Sequence, residues 1–171
     1  MPIWLNLFFI LLFMLVGSVF SGTEMALVSL RTSQIERMEQ EDDRGAHVAR
    51  VARDPNRFLS ALQIGVTLAG FLSASFGASS LSPHIVPWLE SLGMNAGLAS
   101  GLTMVMLTLL ISYLSIVVSE LVPKRIALQQ GEKIARSMVP IIDVFATLTS
   151  PVIWLIGKNT NGIVRLLGFD P

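Results

Sequence analysis

Cysteine is absent from all 171 residues, which removes disulfides, thiolate metal sites and cysteine nucleophiles together. Charge is scarce and unevenly placed: no Lys or Arg occurs in residues 1–30 or in residues 58–123, and only 14% of the chain is charged. With a formal net charge of +0 and no long basic tract, nucleic acid is not expected as a partner. The chain contains no His-Glu-x-x-His pattern, no Gly-x-Ser-x-Gly elbow and no phosphate-binding glycine loop, so no enzyme activity is expected. Histidine is limited to His47 and His84, both in presumed loops and expected to be solvated. The N-terminus, Met1-Pro2-Ile3-Trp4, lacks the basic region of a secretory signal, and apolar character runs to about Leu30, so this stretch is expected to be a retained membrane span.

What is present is apolar: 52% of residues are hydrophobic and the mean hydropathy is +0.65, far above an ordinary soluble domain. A hydrocarbon core of about 30 Å takes about 20 helical residues. Three stretches qualify, roughly residues 4–28, 58–81 and 98–122. The second holds Gly65, Gly70, Gly77 and several hydroxyl residues, the small residues that closely packed membrane helices use at their contacts. The expected fold is therefore an all-α membrane protein with three transmembrane helices.

The segment 31–57 carries Arg31, Arg37, Arg44, Arg50, Arg53 and Arg57, whereas 82–97 has no basic residue. The positive-inside rule puts the arginine-rich segment in the cytoplasm and the N-terminus outside; Lys124, Arg125, Lys133 and Arg136 return the third span to the same side. Residues 32–53 carry Ile35, Met38 and Val48 among charges, which predicts a cytoplasmic helical hairpin or surface helix with a solvated charged face. The stretch 137–157 is apolar but interrupted by Pro140, Asp143 and Pro151, and a fourth crossing would carry Lys158 and Arg165 outside. Amphipathic helices lying along the cytoplasmic face are expected instead. The division is then a transmembrane core over 1–136 and a juxtamembrane helical belt over 137–171, in a multi-pass protein of the cell (inner) membrane. Gly168-Phe169-Asp170-Pro171 ends the chain with no polar tail and is expected to lead to further domains.

Glu120 closes the third apolar run and is followed at once by Leu121-Val122-Pro123-Lys124-Arg125. An ionisable group beside hydrocarbon costs a few kcal/mol to bury, so it persists mainly where it meets a cation, a proton path or a polar cavity. Thr108, Ser112, Ser115 and Ser119 recur at intervals of four, three and four, a hydroxyl seam with Glu120 beside it. On the first span Gly17, Ser21, Glu24 and Val28 share a face; on the second Gly70, Ser73 and Gly77 do, with Ser75 nearby. Such stripes also serve simple helix packing. Packing does not require two carboxylates, however, and a donor set of carboxylate, hydroxyl and backbone oxygen without thiol or imidazole suits a hard divalent cation such as magnesium, held weakly enough to be released. Glu120 is shallow, about 6 Å from Lys124, so a single site needs tilt or a broken helix, with Pro123 and the glycines of the second span as candidate breaks.

Three motifs occur in order: Phe20-Ser21-Gly22-Thr23-Glu24-Met25-Ala26-Leu27-Val28-Ser29-Leu30, Gln63-Ile64-Gly65-Val66-Thr67-Leu68-Ala69-Gly70, and Ser119-Glu120-Leu121-Val122-Pro123-Lys124-Arg125. Together they resemble the membrane domain of the CNNM/CorC family, most closely its bacterial CorC-type members. The resemblance implies magnesium efflux exchanged for sodium by a homodimer embedded in the bilayer, with magnesium as the transported substrate. ATP regulation would reside in cytoplasmic CBS modules that this chain lacks, together with a small C-terminal domain. It also implies an ion site on Ser21, on small residues after Gly65, and on Glu120. The third motif usually reads Gly-Glu where this chain has Ser119-Glu120, and animal relatives carry Asn where it has Val66 and Gly70. Ser73 and Ser75, with a carbonyl freed at Gly70, are therefore expected to supply the second-helix ligands, and Glu24 completes the candidate set. The competing expectation is a magnesium-sensing membrane anchor without transport, in which the stripes only pack helices.

Overall fold

A computed structural model describes residues 1–171 as helices without strands. The first apolar run forms α1 (Ile3–Val28), and the second forms α4 (Asn56–Ser91). The third forms α5 (Ala96–Ser115), which continues through a six-residue π-helical turn, Ile116–Leu121, into α6 (Val122–Leu148). These are the three runs long and apolar enough to cross a membrane, and their outer faces are rich in exposed Leu, Phe and Val. At about 1.5 Å per residue each exceeds a 30 Å hydrocarbon core.

The second span runs longer than its sequence suggests. Pro83 and Pro87 lie inside α4, which ends only at Ser91, so the expected loop over 82–97 shrinks to the few residues before Ala96. Each proline withholds one N–H from the carbonyl four residues earlier, a loss that membrane helices tolerate where neighbours re-satisfy the backbone. The glycines of α4 do not break it either. Gly65 makes room for the Phe20 ring, which would lie within 2.6 Å of an added Cβ.

The arginine-rich segment forms the predicted hairpin, α2 (Thr32–Glu41) and α3 (Asp43–Arg53). Its corner depends on Asp42, whose carboxylate accepts from the Gly45 amide at 2.7 Å and caps α3. Any side chain at Gly45 would run into the Met38 carbonyl. Met38 and Val48 are fully buried, so the hairpin is more than a solvated charged surface: its inner face joins a core with Phe20, Leu62, Ala135 and Ile142. Ion pairs fasten the outer face. Arg136 donates to both Asp42 oxygens at 2.9 and 3.0 Å and reaches Glu41; Arg37 pairs with Glu132, and Arg53 with Glu39.

α6 is folded back on itself. Gln130 leaves helical geometry (φ −129°, ψ 36°), and the next residue, Gly131, sits where an added Cβ would meet the Ser29 hydroxyl at 3.1 Å and the Ala26 carbonyl at 3.5 Å. The limb before the kink packs Pro123 beside Gly22, and the limb after it brings Phe145 back to Phe20, ring centroids 4.9 Å apart. The division expected at 136–137 thus falls within α6. A second break at Thr149 starts α7 (Ser150–Leu166), with Pro151 in its first turn. The stretch 137–157 is therefore two helices meeting at Thr149; α7 is amphipathic and has no buried residue.

Candidate cation groove beside Glu120

Pro123 explains the local backbone at Glu120. Having no N–H, it cannot serve the carbonyls of Ser119 or Val118, and its ring crowds the turn before it. The helix widens there, with the Val122 N–H reaching back five residues to the Val117 carbonyl. The break expected at Pro123 is thus a π turn, a form frequent at functional sites. It sets Ser119 and Glu120 to different surfaces. Ser119 is buried and its hydroxyl donates to the Met14 carbonyl of α1 at 2.7 Å. Glu120 is half-buried and lines an open groove of about 380 Å³ between α4 and the third span.

The polar wall of that groove joins two helices. Thr108, Ser112 and Ser115 come from α5, and Gln63, Thr67 and Gly70 from α4; Val66, Phe71 and Ile116 supply apolar surface. The Gln63 amide donates to the Thr67 hydroxyl at 3.1 Å, which leaves the Gln63 carbonyl oxygen unengaged by that contact. Glu120 has no hydrogen-bond or ion-pair partner, and no group of three or more His, Cys, Asp or Glu side chains gathers anywhere in the chain. The groove therefore offers one formal negative charge and a set of neutral oxygens.

The structure brings together only part of the residue set expected from sequence. Gly70 and Glu120 meet in the groove. Ser21 and Ser73 lie outside its lining; both are completely buried, and each hydroxyl oxygen lacks a partner. Glu24 is half-buried and outside the groove, one turn beyond Ser21 towards the charged end. Ser75 is exposed and outside the groove's lining; two helical residues from Ser73 is a rotation of about 200°, so those two serines do not share a face. The seam of the third span is graded, with Thr108 exposed, Ser112 half-buried, and Ser115 and Ser119 buried.

Three residues were not singled out by sequence. Gln63 and Thr67 carried a signal, since with Gly70 they repeat at four and three on one face of α4. Asn6 is 2% exposed, and its amide donates to the Ser80 carbonyl at 3.4 Å while its own oxygen is unpaired. A lone amide within an apolar run was the available signal. His47 is not free in solvent: its Nε2 lies 2.9 Å from Asp143, which also faces Arg57 at 3.4 Å, and Arg57 donates to Thr147 at 2.9 Å. This cluster ties α3 and the start of α4 to the returning limb of α6.

A family model described as the cyclin M transmembrane N-terminal domain (CNNM) matches residues 7–171. A UPF0053 protein of Synechocystis sp. is 40% identical over 165 residues, which cover 96% of this chain and 37% of that protein. The UPF0053 protein YhdT of Bacillus subtilis is 30% identical over 153 residues, covering 89% and 33%. A protein of Haemophilus influenzae named polyamine export protein is 28% identical over 151 residues, covering 88% and 35%. The chain spans about a third of the length of these curated relatives.

Proposed function

The chain belongs to the CNNM family of cyclin M transmembrane domains, and from that premise we propose that it is the membrane-spanning part of a cation transporter, not an enzyme, that exports magnesium in exchange for sodium. The observation that carries this reading is Glu120: a half-buried carboxylate without a protein partner, in an open groove with hydroxyl and amide oxygens on both walls. An unpaired intramembrane carboxylate is costly unless a cation or water meets it. Magnesium dehydrates reluctantly and keeps several waters, so one carboxylate with neutral oxygens suits a partly hydrated, weakly held ion.

Ser21 and Ser73 enter the same reading as the deeper half of the path. Their hydroxyls are buried and unpaired in this conformation. A rearrangement that brings a cation to them relieves that penalty, which is the differential binding that alternating access needs. Homodimerisation, residence in the cell membrane and ATP regulation through segments outside this chain belong to the same proposal.

Magnesium flux into liposomes holding the full-length protein tests it. Glu120→Gln is expected to abolish flux, and Ser21→Ala with Ser73→Ala to reduce it. Unchanged flux in all variants overturns the site; magnesium-dependent thermal stabilisation without any flux favours the sensing anchor.

A second reading has its own support. The groove combines a single carboxylate with methylene-compatible surface at Val66, Phe71 and Ile116, and one relative is named a polyamine export protein. An organic polyammonium ion needs one anchoring carboxylate and apolar walls, with no octahedral shell. Competition by putrescine or spermidine against magnesium in the same liposomes separates the two substrates.

A further inference from the structure

A polar pocket of about 650 Å³ lies where the end of α1 meets the kink of α6, and it shares no residue with the cation groove. Its size is that of a ligand site. Arg31 and Gln34 line it from the junction of α1 and α2, and Gln129, Gln130 and Lys133 from α6. Neither Arg31 nor Lys133 has an ion-pair partner. Only their backbones are engaged: the Arg31 amide donates to the Gln34 side-chain oxygen at 2.9 Å, and the Lys133 carbonyl accepts from the Ser137 hydroxyl. The one carboxylate on the wall, Glu132, is already paired with Arg37. The pocket therefore presents two uncompensated positive charges, with the Gln34 side chain held between them by its oxygen and its amide nitrogen left to donate. A guanidinium, an ammonium and an amide converging on one cavity are the groups that hold a phosphate.

Position selects the carrier of that phosphate. The first span ends at Val28, Arg31 follows three residues later, and Gly131 at the kink lies against Ser29 and Ala26. The pocket thus opens at the apolar boundary, on the side that the positive-inside rule makes cytoplasmic. Its apolar lining is Leu30 and Leu128, and Leu128 and Val28 are both exposed. A soluble anion makes no use of that shoulder, whereas a phospholipid lays its chains along it while its phosphate enters the pocket. Basic pockets between membrane helices on the cytoplasmic side suit anionic headgroups in this way. We infer that this pocket binds the headgroup phosphate of an anionic phospholipid of the cytoplasmic leaflet, with Arg31 and Lys133 on the phosphate oxygens. A lipid held there bridges the α1–α2 junction to the kink of α6. The site is independent of what the groove transports.

The test titrates the full-length protein in neutral detergent with phosphatidylglycerol and counts bound lipid by native mass spectrometry. One tightly held phosphatidylglycerol per copy of the chain is expected, and phosphatidylcholine, which has the phosphate without the net charge, should bind more weakly. Arg31→Gln and Lys133→Gln should each weaken phosphatidylglycerol binding by about fivefold, the worth of one basic side chain at an anionic surface. Neither substitution removes a side-chain contact within the chain, so both variants should unfold at the parental temperature in lipid-free detergent. Lys158→Gln with Arg165→Gln, two basic residues of α7 outside the pocket, should leave the tight lipid in place. Absence of a tight lipid in the parent overturns the site, and so does an equal loss in the α7 variant, which makes the binding a general attraction to positive charge. Displacement of the lipid by millimolar inorganic phosphate overturns it too, because the occupant is then a soluble phosphate. A cysteine placed at Gln129, with any cysteines elsewhere in the protein replaced, gives the last arm. If a soluble maleimide cannot reach it in the lipid-free protein, another part of the protein fills the pocket and the lipid assignment fails.

Discussion

Ser119 and Glu120 are adjacent in sequence and opposite in circumstance. Ser119 is buried with its hydroxyl donating to the Met14 carbonyl at 2.7 Å, and Glu120 faces an open groove with no partner. The π turn produces this separation, pinning one side of the third span to α1 and presenting the other side to a ligand. Stability and function are therefore expected to divide between neighbouring positions. Ser119→Ala should lower stability in detergent by about 0.6 kcal/mol, the average worth of an interhelical membrane hydrogen bond. Glu120→Gln should leave stability in magnesium-free buffer unchanged or higher, since it removes a charge that nothing in the protein compensates. Denaturation of the two variants side by side checks this; equal losses would show that Glu120 has a structural partner.

Pro123 sets the register of the groove. An alanine there restores the missing N–H and permits ordinary α geometry through residues 116–121. Removing one residue of excess winding rotates the flanking segments by about 100° relative to one another. Pro123→Ala is thus expected to turn Glu120 out of line with Gln63 and Thr67 and to depress flux strongly, while thermal stability holds or rises. Flux at the parental level with the altered turn confirmed structurally would disconnect the π turn from transport.

Three glycines should rank by the space around them. An added Cβ at Gly65 lies 2.5–2.6 Å from the Phe20 ring, which is itself packed on Phe145. At Gly17 the nearest atoms, on Ala69 and Ser119, are 3.2–3.3 Å away, and at Gly70 nothing lies within 4 Å. Overpacking costs about 1–3 kcal/mol where neighbours cannot yield. Gly65→Ala should be the most destabilising, Gly17→Ala mild, and Gly70→Ala neutral for stability. Thermal unfolding of the three single variants gives the order, and a Gly70→Ala variant as unstable as Gly65→Ala would contradict the packing assigned to α4.

Where sequence pattern and physical cause coincide, the fold was legible. Apolar length marked the three spans, the arginines marked the hairpin, and Pro123 marked the irregularity beside Glu120. The return of α6 was not legible, because Gln129-Gln130-Gly131-Glu132-Lys133 reads as ordinary polar helix. The turn there depends on Gly131 fitting against Ala26 and Ser29 and on Phe145 reaching Phe20, contacts distant in sequence. The candidate site was legible by helix and less so by face. Glu120 and Gly70 share the groove, whereas Ser75 is exposed and outside its lining, and it does not share a face with Ser73 because the two are only two positions apart. Asn6 and His47 escaped because each is isolated in sequence, and their partners, Ser80 and Asp143, lie 74 and 96 residues away.

The hairpin clamp carries a pH dependence whose sign follows from Asp42. The Gly45 amide, and then Arg136, hold the Asp42 carboxyl below its usual value of 3.8. A carboxylate whose pKa is depressed in the folded state contributes stability that is fully present above the unfolded value and is lost as pH falls through the folded value. Docking of α2–α3 on α6 should therefore be insensitive to pH near neutrality and should loosen only below about pH 4. Glu39, lowered by its hydrogen bond from Arg53, acts in the same direction within the hairpin. Asp42→Asn keeps an oxygen for the Gly45 amide but removes the charge facing Arg136, so docking should be weaker at neutral pH and flatter towards acid. The 171 residues contain no cysteine, so cysteines introduced at exposed Gln40 and Ser137 can carry spin labels whose separation reports docking. A parental distance that broadens between pH 7 and pH 5, or an Asp42→Asn profile as steep as the parent's, would assign the clamp to groups other than Asp42.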